Sequence, residues 1–254
     1  MNKELKTMNN ELKKSGFSLT EILLAVATLG IGMLFIAGTF LTGIHFSTIA
    51  TEQTTAAVAA DEAFAKIRLY GVNPSNLEVE QLKTYEPQKT MDPNEFAYPS
   101  TDTDVLQKQY FWSALCRRVG SNTNSRLVQI TVFVSRKVGS GTRYRVRNPD
   151  GTLNPAGGSY PIPIAVRVAG VVGSKELKIQ NLGEKTFIND GYTIVDNKTG
   201  QICRVVERTA DRPDVIRLYQ TWQGSPAGSV WVVPPPIGGG KNPTIAIYQK
   251  VMRF

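Results

Sequence analysis

The chain has 254 residues, 41% of them hydrophobic, with 29 Lys and Arg against 21 Asp and Glu and a formal net charge of +8. It contains one histidine, His45, and two cysteines, Cys116 and Cys203. A single histidine cannot complete a Ser-His-Asp triad and excludes a His-pair zinc site. With no glycine-rich phosphate loop or paired-carboxylate site in view, no enzymatic function, resident metal or cofactor is expected.

In chain order, residues 1–16 carry Lys3, Lys6, Lys13 and Lys14 against Glu4 and Glu11. Then comes Lys13-Lys14-Ser15-Gly16-Phe17-Ser18-Leu19-Thr20-Glu21, and from Ile22 to Thr51 there is no Asp, Glu, Lys or Arg. The stretch Ile22–Leu41 is 20 residues long, enough at about 1.5 Å per residue to span a hydrocarbon layer of about 30 Å. The spacing predicts one transmembrane helix. No Lys or Arg follows until Lys66, and the positive-inside bias places residues 1–16 in the cytoplasm with the rest across the membrane. A cleaved secretory signal is the rival, but its apolar region runs to about 7–15 residues before a small-residue cleavage site. No Ala-x-Ala site follows closely here.

Glu21 stands at the start of this segment. A carboxylate at mid-bilayer costs roughly 2.5–3.5 kcal/mol, and less near an interface. Two readings stay open: the side chain reaches the headgroups and does nothing more, or a cation pairs with it.

The run from Lys13 to Ala27 resembles the type III signal of type IV pilins and type II secretion pseudopilins. The resemblance implies cleavage between Gly16 and Phe17 by a cytoplasm-facing prepilin peptidase and N-methylation of the new Phe17 amine. It also implies that the apolar helix is kept as membrane anchor and later as filament core. Glu21 would pair with the Phe17 amine of a neighbouring subunit, an attraction much stronger in a low-dielectric core than in water. One such pair per subunit sets the axial register, and a head-to-tail contact that does not close builds a helical filament. The run Leu23–Gly38 is most similar to PilV-like minor pilins, and Gly38 stands where many major pilins carry a proline. The family implies a structural subunit, minor pilin or pseudopilin, of a type IV pilus or type II secretion pseudopilus. It would cross the bacterial inner membrane once, with its head in the periplasm. Its partners would be the prepilin peptidase, other pilins or pseudopilins, the assembly platform and the membrane.

Gly30, Gly32, Gly38 and Gly43 would let membrane helices approach closely, or are ordinary membrane-helix composition. His45 reads as an interfacial residue. Beyond it the pattern turns amphipathic: Ile49, Ala56, Ala60, Ala63, Ile67 and Tyr70 recur at helical steps, with Gly71 and Pro74 to end the helix. The expected fold class is α+β, a long N-terminal α-helix (transmembrane half plus amphipathic half) packed on an antiparallel β-sheet head, with an extra β-rich subdomain.

The expected divisions are a leader at 1–16, the helix at 17–70, a loop-rich connection at 71–109 with a short helix near Asn76–Tyr85, a β-sheet head at 110–172, and an additional β-rich subdomain at 173–254. Strand-like runs fall at Tyr110–Val119, Leu127–Val138 and Ile162–Val172. A second set falls at Lys175–Asn181, Tyr192–Asp196, Ile202–Arg208, Val215–Trp222 and Val230–Val233. The last run, Thr244–Met252, is expected either to stay in the subdomain or to return to the first sheet.

Three further expectations concern particular side chains. Arg143, Arg145 and Arg147 alternate, which on a strand puts three guanidinium groups on one face. That face would bind nucleic acid or an acidic polysaccharide, or simply be solvated. Cys116 and Cys203, both on the exported side, would form a disulfide or remain buried thiols. Asp190, Asp196 and Asn197 are read as turn residues in preference to a calcium loop. The rival functions are a bitopic envelope protein whose β-rich head binds a ligand without polymerising, and a tip adhesin or DNA-uptake subunit.

Overall fold

A computed structural model of the chain describes residues 17–102, 108–120, 125–137, 141–148 and 150–254. Gly16 and the lysine-rich leader lie outside the described residues. The chain divides into two compact units, 1–50 and 51–254, and the helix α1 (Leu19–Tyr70) contributes to both.

In the first unit, α1 presents its apolar side chains outward. None of its most apolar window is buried, and among the described residues it is the one helix long and apolar enough to cross a membrane. Leu34, Phe35, Ile36 and Leu41 are all about 70% exposed, whereas a core helix of a water-soluble protein buries such residues. The hydroxyls in this segment are satisfied within the helix: Thr28 Oγ1 donates to Ala25 O, Thr39 Oγ1 to Ile36 O and Thr42 Oγ1 to Gly38 O, each at 2.9 Å. A bilayer requires such internal pairing.

In the second unit, α1 buries Ala56, Ala59, Ala60, Ala63, Phe64 and Ile67. Three- and four-residue steps keep these on one face, and four alanines let the helix backbone lie close to the sheet. Ala59 and Phe64 complete this stripe, while Ile49 and Tyr70 are exposed. The helix ends at Gly71, whose φ of +80° suits a residue without a Cβ; its N–H donates to Ile67 O at 3.0 Å.

The helix covers a five-stranded antiparallel sheet made of β1 (Lys83–Thr84), β2 (Ala97–Tyr98), β3 (Tyr110–Arg118), β4 (Leu127–Arg136) and β11 (Thr244–Arg253), the last strand of the chain. β3 pairs with β4, and β4 with β11. β1 and β2 share the outer edge of β3. Between them, the side chain of Gln88, in the short helix α2 (Pro87–Thr90), receives the Ala114 N–H at 3.0 Å and donates to Trp112 O at 3.1 Å. A side-chain amide thus replaces a missing strand partner. The short helix lies at Pro87–Thr90 rather than near Asn76–Tyr85, where a 3₁₀ turn (Pro74–Asn76) and β1 stand instead.

Strand alternation sorts the sheet into two faces. Trp112, Ala114, Cys116, Val128, Ile130, Val132 and Val134 join the helix stripe in one core. Leu115 and Phe133 point the other way, onto Val195, Val233 and Leu82.

That second face is covered by a closed six-stranded barrel of β5 (Ile164–Gly170), β6 (Glu176–Ile179), β7 (Thr193–Asp196), β8 (Ile202–Arg208), β9 (Val215–Leu218) and β10 (Ala227–Val232), in the order β10-β5-β6-β9-β8-β7. Its interior is filled by Val166, Val168, Leu177, Ile179, Ile194, Val205, Trp222 and Val230, as side chains fill other small barrels. The expected division at 172–173 is therefore displaced. β5 pairs with β6 and β10, not with the first sheet, so the barrel begins near residue 164. Only β11 returns from the C-terminal part to pair with β4.

Candidate functional site

The first site to place is the start of α1. Ser18 O accepts the N–H groups of Glu21 at 3.0 Å and Ile22 at 3.1 Å, which sets the helix beginning at Leu19 with Glu21 in its first turn. Phe17 is 77% exposed, and Glu21 is exposed as well. Among the described residues the Glu21 carboxylate has no ion-pair or hydrogen-bond partner. An anion at a helix N-terminus is favoured by the first-turn amides, by about 0.3–1 kcal/mol at an exposed site, which is less than the cost of holding it in lipid. The four glycines of the segment have nothing within 4 Å of the place a Cβ would occupy. At Gly43 this leaves a notch bordered by Ile36, Phe40 and Ile44.

The arginine face does not exist as expected. Residues 143–147 form isolated bridges, not a strand: Tyr144 bridges to Gly158 and Pro236, and Arg147 to Leu153. The three guanidinium groups part company. Arg143 Nη1 donates to Ser159 Oγ at 3.0 Å. Arg145 lies over the Phe187 ring, 4.9 Å from its centroid. Arg147 donates to Glu184 Oε1 at 2.5 Å, Ala165 O at 3.0 Å and Gly151 O at 2.7 Å. Arg145 and Arg147 thus hold the loop against the barrel, and Arg147, paired with Glu184, is spent as a ligand for an outside anion. Gly151, Pro155 and Gly157 interrupt regular strand pairing there, and Glu184 is far along the chain. No local sequence signal marked it as a partner.

The cysteines are a second correction. Both are free and buried. Cys116 belongs to the helix–sheet core and Cys203 to the barrel core. Alternation along β3 turns Cys116 to the helix side, away from the barrel. Burial pushes the Cys116 thiol up to about 12. Burial, helped by the nearby Asp196 charge, pushes Cys203 up to about 11. Neither is an activated nucleophile.

Asp196 and Asn197 build a turn between β7 and β8. Asp196 Oδ2 accepts from Thr199 N and Oγ1, both at 2.7 Å, and Gly200 closes the turn at φ +72°. Asn197 Oδ1 accepts from Trp231 Nε1 at 2.7 Å and Leu82 N at 3.1 Å, tying barrel to connection. Asp190 Oδ1 accepts the Arg208 N–H at 2.7 Å. Among the described residues no group of three or more His, Cys, Asp or Glu side chains gathers to hold a metal.

A half-open cavity of about 550 Å³ lies where α1 meets β1, lined by Tyr70, Val72, Leu77, Tyr85 and Cys116 among others. Tyr85 Oη donates to Gly71 O at 3.1 Å across its wall. Nothing in it pairs a nucleophile with a base. Set against known proteins, the chain matches no protein-family model, no curated protein and no solved structure.

Proposed function

We propose that this chain is a structural subunit of a membrane-derived filament, cut between Gly16 and Phe17, N-methylated at Phe17 and assembled as a minor pilin or pseudopilin. The observation that carries the reading is Glu21, a carboxylate without a partner among the described residues, in the first turn of a helix whose apolar N-terminal window is left uncovered by the described chain. Lipid covers that surface in the anchored subunit, and neighbouring helices cover it in the filament. In the filament the Phe17 amine of the next copy would supply Glu21 with a cation. The glycines with open space beside them support close helix approach there. A helix laid through alanines onto an antiparallel sheet is the head arrangement that the resemblance leads one to expect. The barrel would be the part exposed to outside partners. In this reading the subunit begins in the bacterial inner membrane, N-terminus in the cytoplasm and head in the periplasm, and works with the prepilin peptidase and the assembly platform.

Two substitutions test it. Gly16→Leu should leave the full-length precursor in the membrane. Glu21→Val should allow processing and anchoring yet remove the protein from sheared or crosslinked filaments. A bitopic anchor with a ligand-binding head would be indifferent to both, and that result would overturn the proposal.

A further inference from the structure

Away from the helix start, the second unit has a half-open cleft of about 440 Å³, walled by residues 141–143 beyond β4 and by residues 236–237 and 239–243 leading into β11. Three cationic side chains line it, Arg136, Arg143 and Lys241, and no carboxylate does. Arg136 is already neutralised by an ion pair with Glu52 on α1. Arg143 and Lys241 are exposed, and Arg143 spends one nitrogen on Ser159.

The hydrogen-bond inventory of the cleft is lopsided. Several of its acceptors are taken: Arg143 O by Ile237 N–H at 2.8 Å, Pro236 O by Gly239 N–H at 3.0 Å, and Pro243 O by Arg136 N–H at 2.7 Å. Asn242 Oδ1 receives the Thr244 N–H at 3.0 Å. The donors are left over. Among the described residues the main-chain N–H groups of Gly240 and Lys241, both lining the cleft, have no partner, nor has the Lys241 ammonium.

Gly238, Gly239 and Gly240 have φ of +93°, +98° and +140°. A Cβ at Gly238 or Gly239 would meet nothing within 4 Å. Packing therefore does not require glycine at those two positions; the backbone conformation does. The Gly239 N–H is used within the loop, on Pro236 O, which leaves the Gly240 and Lys241 N–H groups as the main-chain donors of the cleft.

We propose that this cleft binds a phosphate-type oxyanion, held by the Arg143 and Lys241 side chains and by the main-chain N–H groups of Gly240 and Lys241. A group with several oxygens can take donors arriving from both walls at once, and charge-assisted bonds to it are the strong ones. Either a free phosphate or the phosphate of a lipid headgroup would supply that chemistry. The site is independent of the filament reading and of the dispersed Arg145 and Arg147.

The test uses the full chain in a neutral detergent, titrated with inorganic phosphate in a calorimeter. Saturable one-to-one binding is expected, weakened about ten-fold or more by Arg143→Ala or Lys241→Ala. Lys175→Ala, an exposed lysine on the barrel, should change nothing. The titration is repeated in nanodiscs of phosphatidylcholine with and without phosphatidylglycerol. Loss of phosphate binding in either disc relative to detergent assigns the site to a headgroup, and binding equal to that in detergent assigns it to a free anion. No saturable binding in detergent, or binding that both variants leave unchanged, would overturn the proposal.

Discussion

Arg147 and Glu184 meet at 2.5 Å on the flank of the barrel, the carboxylate side chain only 3% exposed and the guanidinium side chain 27%. The carboxylate's second oxygen, Oε2, is buried without a partner, so Arg147 is its principal compensation. Arg147→Ala should therefore destabilise the head by about 3 kcal/mol, the range found when one partner of a buried pair is removed. Arg147→Ala combined with Glu184→Gln should cost less than Arg147→Ala alone. Urea unfolding of the detergent-solubilised chain gives both numbers. Equal losses would contradict the claim that Arg147 compensates a buried charge on Glu184.

The two thiols make a prediction about pH. Both have folded values above the ordinary 9.0, Cys203 at about 11 and Cys116 at about 12, chiefly because burial disfavours the thiolate. Above pH 9 the unfolded chain releases both protons while the folded chain holds them. Stability is thus unaffected by the thiols below that point and falls as pH rises through 11 and 12. The Tyr85 hydroxyl is raised above its usual range, first by burial, and acts in the same direction. Unfolding midpoints should drop between pH 8 and pH 10.5. At pH 8, iodoacetamide should label both cysteines only after denaturation; rapid labelling of the native chain, or a disulfide by intact mass, would contradict the separate-core placement.

Gly224 is a packing constraint that no motif announces. A Cβ there would fall 2.3 Å from Trp222 Cζ2 and 2.6 Å from Asp196 Oδ1, and both of those side chains are fully buried. Gly224→Ala should cost about 1–3 kcal/mol through forced repacking. A thermal-melt midpoint unchanged from the parent would show that the Trp222 ring can move aside.

The close fit of helix to sheet rests on alanines. Ala63 is fully buried whereas Val58, on the same helix, is 51% exposed. Ala63→Leu should destabilise the head by about 1–3 kcal/mol, and Val58→Leu should stay within about 0.5 kcal/mol. The same unfolding assay compares them.

Much of this fold could be read from local pattern. The uncharged run after Glu21 and the three- and four-residue steps through Ala56, Ala60, Ala63 and Ile67 mark α1. Alternation marks β3 and β4. Sheet membership is another matter, because a strand's own residues do not say which neighbour it pairs with. Ile164–Gly170 has the same β-branched alternation whether it joins β4 or β10, and pairing with β6 and β10 decides it. The candidate sites divide the same way. Glu21 was visible because a lone carboxylate interrupts an apolar run. The fate of Arg145 and Arg147 was not, because it depends on Phe187 and Glu184, about forty residues further along the chain. The cleft at Lys241 was equally hidden, since it forms only when the glycine loop folds back beside Arg143.

The most direct check is the N-terminus of the protein recovered from cell membranes and from any filament fraction, read by Edman degradation and intact mass. A chain that starts at Phe17, carries a methyl group on its amine and retains the apolar helix is the predicted result. A chain that still starts at Met1, or one that starts downstream of Leu41, contradicts the account.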